Sequence, residues 1–386
     1  MTTKINITLL LLMGLILAGA CRKNSGKQNQ NGNAATPAPE APIGGQAPAG
    51  EKFFFRGTIS GNLRIEMTLV RDGDRLNGNY FYPRVGKNIN LNGTIDKSGK
   101  VELKESDESG KDTGIFKGMW KPATDSPDPN LNEIEGKWSK PDGSKETPFL
   151  VYQQPIEFTL PVRVNPKVIR ETNKQLRYTV EAEYPQIEGD ARFDKFNREA
   201  RGMITKDVAA FKAAESGQDA DPGMELSDEA GQSSQNIGYD IRYATDALIS
   251  VEFLEDAYSR GAAHGNQITS VINYDIKNDK KLALADLFNP KSNYLNVISA
   301  YCTKELKARE QKDKDNTMLS DDMIQSGASP RVDNYKAWAI TRSGLWITFD
   351  PYQVAAYAGG PQYVLVPYSA LKDIIKPDGP IAGLAK

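Results

Sequence analysis

The sequence predicts two dissimilar folded regions. The first is an all-β N-terminal domain, an antiparallel meander curled into a small barrel or sandwich; the second is an α+β C-terminal domain with an antiparallel sheet. Three observations carry this. A pattern of apolar residue, x, glycine, x, apolar residue occurs five times between residues 55 and 138. Beyond residue 160, strands of period two mix with helical stripes in no regular alternation, which argues for α+β over a parallel α/β fold. The length of 386 residues leaves room for two or three domains at about 100–200 residues each.

The glycine pattern reads FRGTI (55–59), LNGNY (76–80), LNGTI (91–95), FKGMW (116–120) and IEGKW (134–138). Alternation puts the apolar residues on one face of each strand, and a central glycine belongs where a sheet bends sharply. Turn clusters RDGD (71–74), DKSG (96–99) and PDG (141–143) separate the repeats, so residues 52–152 form the meander. Closing it protects the edges. Its interior is either packed with its own side chains or holds a small ligand, which would make the protein a carrier.

The second region spans residues 160–256 and 257–376, expected to fold as one unit. Residues 176–184 alternate like a strand. Phe193, Phe196, Ala200, Met203, Ile204, Val208 and Phe211 recur at helical spacing in residues 190–213, and residues 215–235 read as a polar loop. Strands follow at 237–243, 247–254 and 267–275, then a helical turn at 282–288 and a helix at 294–306. Strands at 338–340, 345–349 and 363–366 and a terminal helix at 368–375 complete the set.

The chain opens MTTKINITLLLLMGLILAGAC, with a lysine, a short apolar run and small residues before Cys21. That run is too short to span a bilayer and reads as an export signal over residues 1–20. The cysteine after Ala18-Gly19-Ala20 resembles a bacterial lipoprotein signal, which implies acylation of Cys21 and a cell-envelope location. The Arg22 that follows resembles lipoproteins sent to the outer membrane, facing the periplasm, in a double-membrane bacterium. Residues 21–51, with Ile43 as the only branched aliphatic after Cys21, are too polar to bury a core and form a tether. Acylation leaves Cys302 as the sole mature thiol, so the fold rests on its apolar core. A net charge of -2 and the lack of a basic run argue against nucleic acid as a partner.

His264 is the only histidine, between glycines in GAAHGN (261–266), where Gly261 and Gly265 suit a tight connection. A hydrolase using His264 as general base needs a nucleophile and an orienting group beside it, and no Gly-x-Ser-x-Gly elbow is present. Cys302 lies on an apolar helical stripe, so it reads as an inert thiol. One histidine and one distant thiol do not make a zinc site, and no cofactor or metal is expected. Glu252, Glu255 and Asp256 could serve a paired-carboxylate glycosidase only if the fold brings two together across a substrate. The stronger candidate is the loop DPYQVAAYAGGP (350–361). It offers Tyr352 and Tyr357 either as contact residues or as core beneath the loop, and Gly359 and Gly360 loosen its backbone.

The order GAAHGN, LALADLF (282–288), a helix, LWITF (345–349), DPYQVAAYAGG (350–360) and VPYSAL (366–371) resembles a known extracellular module. It is the domain of unknown function DUF3298 that ends RsiV-type, lysozyme-sensing anti-sigma factors and occurs in some peptidoglycan deacetylases. EYPQI (183–187) and the helix near Phe193 resemble its usual DUF4163-like companion, so the likeness covers residues 160–375. Gln353 and Ala356 stand where that module often has glutamate and proline. The resemblance implies an envelope binding or sensing role. With the lipoprotein-like start and no catalytic constellation, the expectation is a non-enzymatic, lipid-anchored protein that binds a protein or glycan partner, a lysozyme-like cell-wall hydrolase or cell-wall glycan first among them. A cell-wall-active hydrolase using His264 is the alternative. The partner-binding candidates are His264, Asn266, Tyr352, Tyr357, Gly359 and Gly360.

Overall fold

The computed structural model describes residues 50–124, 126–216, 231–312 and 318–385. The expected signal segment, Cys21 and the tether up to residue 49 lie outside the described residues. Eight strands form a closed antiparallel barrel: β1 (Glu51–Ile59), β2 (Leu63–Asp72), β3 (Arg75–Phe81), β4 (Ile89–Ile95), β5 (Lys100–Ser106), β6 (Asp112–Pro122), β7 (Asn132–Ser139) and β8 (Thr147–Gln154). Each strand pairs with the next, and β1 pairs with β8 to close the ring.

The repeated glycines explain the tight curl. A Cβ on Gly57 would sit 2.0 Å from the Leu150 carbonyl oxygen on β8, and one on Gly93 would sit 1.9 Å from that of Glu102 on β5. Only glycine lets these strands press so close. Inside, Ile65, Leu69, Leu76, Val101 and Phe116 are fully buried. Phe116 meets Tyr80 edge-on at 5.4 Å and Phe149 at 5.0 Å. Side chains from opposite walls thus meet across the interior. One carboxylate, Glu105, is buried near an end of this core, where Tyr80 (2.8 Å), Trp138 (2.7 Å) and Thr113 (2.6 Å) donate to it. Three donors satisfy a group that would otherwise be costly to bury.

Beyond the barrel lies a mainly antiparallel sheet of β10 (Arg163–Asn173), β11 (Tyr178–Glu188), β12 (Ser233–Thr245), β13 (Leu248–Tyr258), β14 (Asn266–Asp275) and β15 (Lys280–Lys281), in that order. A short β9 (Ile156–Glu157) pairs with β12, and β11–β12 is a parallel pair. The stripe expected over residues 190–213 becomes a 3-10 turn capped by Asp190, then α1 (Asp194–Ser216). Its buried Phe196, Ala200, Ile204 and Val208 cover one face of the sheet, against Val180, Ile237 and Val251.

A second sheet, β16 (Trp338–Ile340), β17 (Gly344–Phe349) and β18 (Gln362–Pro367), packs through Ser250 and Asn273. The Ser250 hydroxyl donates to Asn273 Oδ1 (2.6 Å) and accepts from Ile340 N–H (2.8 Å), and Asn273 Nδ2 donates to the Trp338 carbonyl (2.8 Å). Around it, α2 (Tyr294–Lys312) buries Ile298, Cys302 and Leu306 with Leu345, Ile347 and Phe349. Two short helices, α3 (Asp321–Gly327) and α4 (Tyr368–Leu371), complete the module. The terminal helix stops at Leu371 instead of continuing to residue 375, because Ile375 bridges to Phe288 in extended pairing and Pro377 follows.

Candidate binding site

The loop after β17 is tied down at its start and middle and open at its surface. Asp350 Oδ1 accepts the Thr269 N–H of β14 at 3.0 Å. Val354 and Ala355 are buried in the core, and Ala355 bridges to Leu319. Gln353 is the clamp: its Nε2 donates to the carbonyls of Gly327 and Asn334, both at 2.9 Å. A glutamate here would bring no N–H to those two carbonyls, so the Gln353 amide is what anchors the loop at this point.

On that frame the loop aligns three rings. The Tyr357 ring stacks on His264 with centroids 4.0 Å apart and planes at 28°, and its hydroxyl donates to the Gly265 carbonyl at 2.7 Å. Tyr352 lies tilted beside both, 5.5 Å from Tyr357 and 6.3 Å from His264, with its hydroxyl 3.3 Å from His264 Nε2. His264 Nδ1 lies 2.7 Å from its neighbour's carbonyl at Gly265. His264 is exposed, Tyr357 half-buried and Tyr352 57% exposed. Tyr352 also holds φ at 70°, a left-handed backbone that a bulky residue adopts at a cost of roughly 1–2 kcal/mol. The two tyrosines are therefore not core beneath the loop.

The other candidates have supporting places. Asn266 starts β14, exposed, with its backbone paired to Ala257. Gly359 packs on Met318, and Gly360 turns the chain at φ 62°. In the GAAHGN connection only Gly261 takes positive φ, at 76°; Gly265 is needed for closeness, since a Cβ there would lie 3.1 Å from the Ala257 carbonyl.

The residues considered for bond-breaking are arranged otherwise. Among the described residues, the hydrogen-bond partners of His264 are the Gly265 carbonyl and the Tyr352 hydroxyl, neither of them a serine or a carboxylate. Strand alternation sends Glu255 to the face opposite Glu252 and Asp256. Burial pushes the Glu255 carboxyl up, with Gln235 opposing and Asp207 and Asp256 adding to the rise. Glu252 is held by Arg242 and by the Thr348 hydroxyl. Burial raises the Cys302 thiol far above its usual range.

A second feature was invisible in the sequence. Where the barrel meets the two sheets there is a cleft of about 240 Å³. Arg56 of β1 crosses it to the Tyr239 carbonyl and to Glu183, lies 3.8 Å over the Tyr239 ring, and also meets Glu66 at 3.2 Å. Burial alone would weaken its charge, yet the surrounding Tyr239, Glu183 and Glu66 outweigh that and raise its pKa. Arg242 pairs with Glu252 and stacks 4.1 Å over Trp346. These partners stand far apart in the chain: 127 residues separate Arg56 from Glu183. Local patterning carries no sign of such pairing.

Comparison with known proteins finds a family match over the segment that holds the loop. Residues 285–369 match the family described as a protein of unknown function, DUF3298, and so carry that domain. The match holds Tyr352 and Tyr357 and begins after His264. The peptidoglycan-N-acetylmuramic acid deacetylase PdaC of Bacillus subtilis (strain 168) is 33% identical over 141 residues, 36% of this chain and 29% of that protein. The chain thus spans less than a third of that relative's length. A solved DUF3298 structure from Bacteroides fragilis covers 58% of this chain and 98% of its own at 17% identity, with a TM-score of 0.42. One from Pseudomonas aeruginosa covers 56% and 95% at 21% identity, with a TM-score of 0.41.

Proposed function

We propose that the protein is a non-enzymatic, lipid-anchored cell-envelope protein that binds cell-wall glycan on the face made by His264, Tyr352 and Tyr357. One observation carries this reading: Tyr352, strained at φ 70°, stands 57% exposed beside a stacked histidine–tyrosine pair. A strained residue that presents its ring to solvent suits contact better than packing. Sugar rings offer apolar C–H faces to such rings, and their hydroxyls can meet the tyrosine hydroxyls and Asn266. The relative named as a peptidoglycan deacetylase supports a cell-wall setting. The lipoprotein-like start and the RsiV-type likeness support display outside the cytoplasm on a lipid anchor.

Co-sedimentation with purified peptidoglycan tests the reading. The wild type should pellet with it, and Tyr352→Ala with Tyr357→Ala should weaken binding about tenfold or more, since buried contact aromatics commonly contribute over about 1 kcal/mol each. No pelleting of the wild type would remove the glycan. A lysozyme-like hydrolase is the second reading, favoured by Met318, which is 47% exposed and lies against Gly359 at the loop's edge. Inhibition of lysozyme by the wild type, lost in the double variant, would transfer the surface to that partner.

A further inference from the structure

We propose that the cleft between the barrel and the two sheets is a second binding site, which takes one neutral, hydroxyl-rich sugar unit of the same glycan. This inference rests on the glycan reading above. The volume of about 240 Å³ falls below the roughly 300–1,000 Å³ of sites for drug-sized ligands and suits a single ring.

The charge pattern selects the ligand class. Arg56 is committed to Glu66 and Glu183, Arg64 to Glu183 at 3.3 Å, and Arg242 to Glu252. No lining guanidinium is left without a carboxylate, so an anionic ligand gains no free cation. Behind the lining, Glu183 pairs with both Arg56 and Arg64 and keeps one fully buried oxygen, Oε1, without a hydrogen bond among the described residues. Asp240 and Asp256 line the cleft as acceptors.

The remaining polar groups are hydroxyls. Thr58 from the barrel and Tyr363 from β18 face the same space as Thr269. The Tyr363 hydroxyl, pushed up to about 12 chiefly by burial, stays a donor at neutral pH. Thr269 is 8% exposed, and its hydroxyl, although near the Asp350 carboxyl, forms no well-shaped hydrogen bond. A buried hydroxyl left in this state costs free energy that a sugar hydroxyl can recover. Gly238 leaves the floor open, since a Cβ there would meet nothing nearer than Arg64 at 3.5 Å.

The cleft and the ring loop meet at one point: Asp350, the first residue of the loop, accepts the N–H of Thr269, whose side chain lines the cleft.

The test is calorimetric titration of the full chain with neutral N-acetylglucosamine oligosaccharides of one to six units. The hexasaccharide should bind the wild type, and Gly238→Val, which adds side-chain bulk to the cleft floor at a position with room for a Cβ, should weaken it at least about fivefold. Thr269→Val, near in shape to the native residue, should do the same by a smaller factor; melting curves equal to wild type establish that both variants fold. If both variants bind like wild type while Tyr352→Ala with Tyr357→Ala does not, the cleft is overturned and the ring face stands. If the wild type binds no oligosaccharide, both readings fall. Tighter binding of an anionic sugar phosphate or a free peptide at the cleft than of the neutral oligosaccharide would also overturn the inference.

Discussion

The barrel and the ring loop use aromatic side chains in opposite ways. In the barrel, Tyr80, Phe116 and Phe149 interlock edge-on and buried, and the Tyr80 hydroxyl is given to a buried carboxylate. In the loop, His264, Tyr357 and Tyr352 lie face to face or tilted near the surface, on a backbone held by Asp350 and Gln353. Rings that interlock inside a core supply stability. Rings left uncovered on an anchored loop supply contact area at low conformational cost.

Truncation is the largest way to sharpen that contrast. Phe116→Ala should destabilise the protein by about 3–5 kcal/mol, seen as a lower midpoint in urea, because it opens a cavity among packed rings. Glycan binding by the molecules that remain folded should not change. Removing Tyr352 should do the reverse. Tyr352→Gly should stabilise the protein by roughly 1 kcal/mol, since glycine accepts the left-handed backbone without strain, while glycan binding falls. A loss of stability in this variant would mean that the ring is held by packing, and the contrast would fail.

The smallest effect is one of pH. Burial raises the folded-state pKa of Glu255 above its ordinary value of 4.5, so its favourable contribution is present below 4.5 and is lost as pH rises through the folded value. Glu255→Gln should therefore gain a few tenths of a kcal/mol at pH 7, discounted for partial exposure, and the gain should shrink at acidic pH. Melting temperatures of both proteins across that range give the slope. A gain that is constant with pH would remove the carboxyl as its cause.

How far the sequence discloses this architecture depends on the reach of each interaction. The barrel shows itself through glycines that recur in β1, β3, β4, β6 and β7, because close strand approach demands them locally. Strands β2, β5 and β8 lack glycine and carry no such mark; Gly78, Gly93 and Gly57 press against them, whereas Gly118 of β6 and Gly136 of β7 press against each other's strands. The α1 stripe is a local periodicity and was equally visible. Strand β10 was not, since RVNPKVIRETN carries a proline and little alternation at a sheet edge. Local motifs mark His264 and Tyr352 separately. Their meeting, 88 residues apart, depends on β14 and the loop being held together by Thr269 and Asp350. The cleft depends wholly on contacts between the barrel and the sheets, and nothing in the local pattern of Arg56 or Arg242 announces a buried guanidinium.

The most direct measurement uses the fact that the chain has a single histidine. The imidazole proton resonances of His264 are unique in the NMR spectrum and report on the ring face alone. Titration with soluble peptidoglycan fragments should move them to a saturating limit in the wild type, with a much weaker affinity in Tyr357→Ala. Fragments that bind the protein yet leave the His264 resonances unmoved would contradict the assignment of this face as the contact surface.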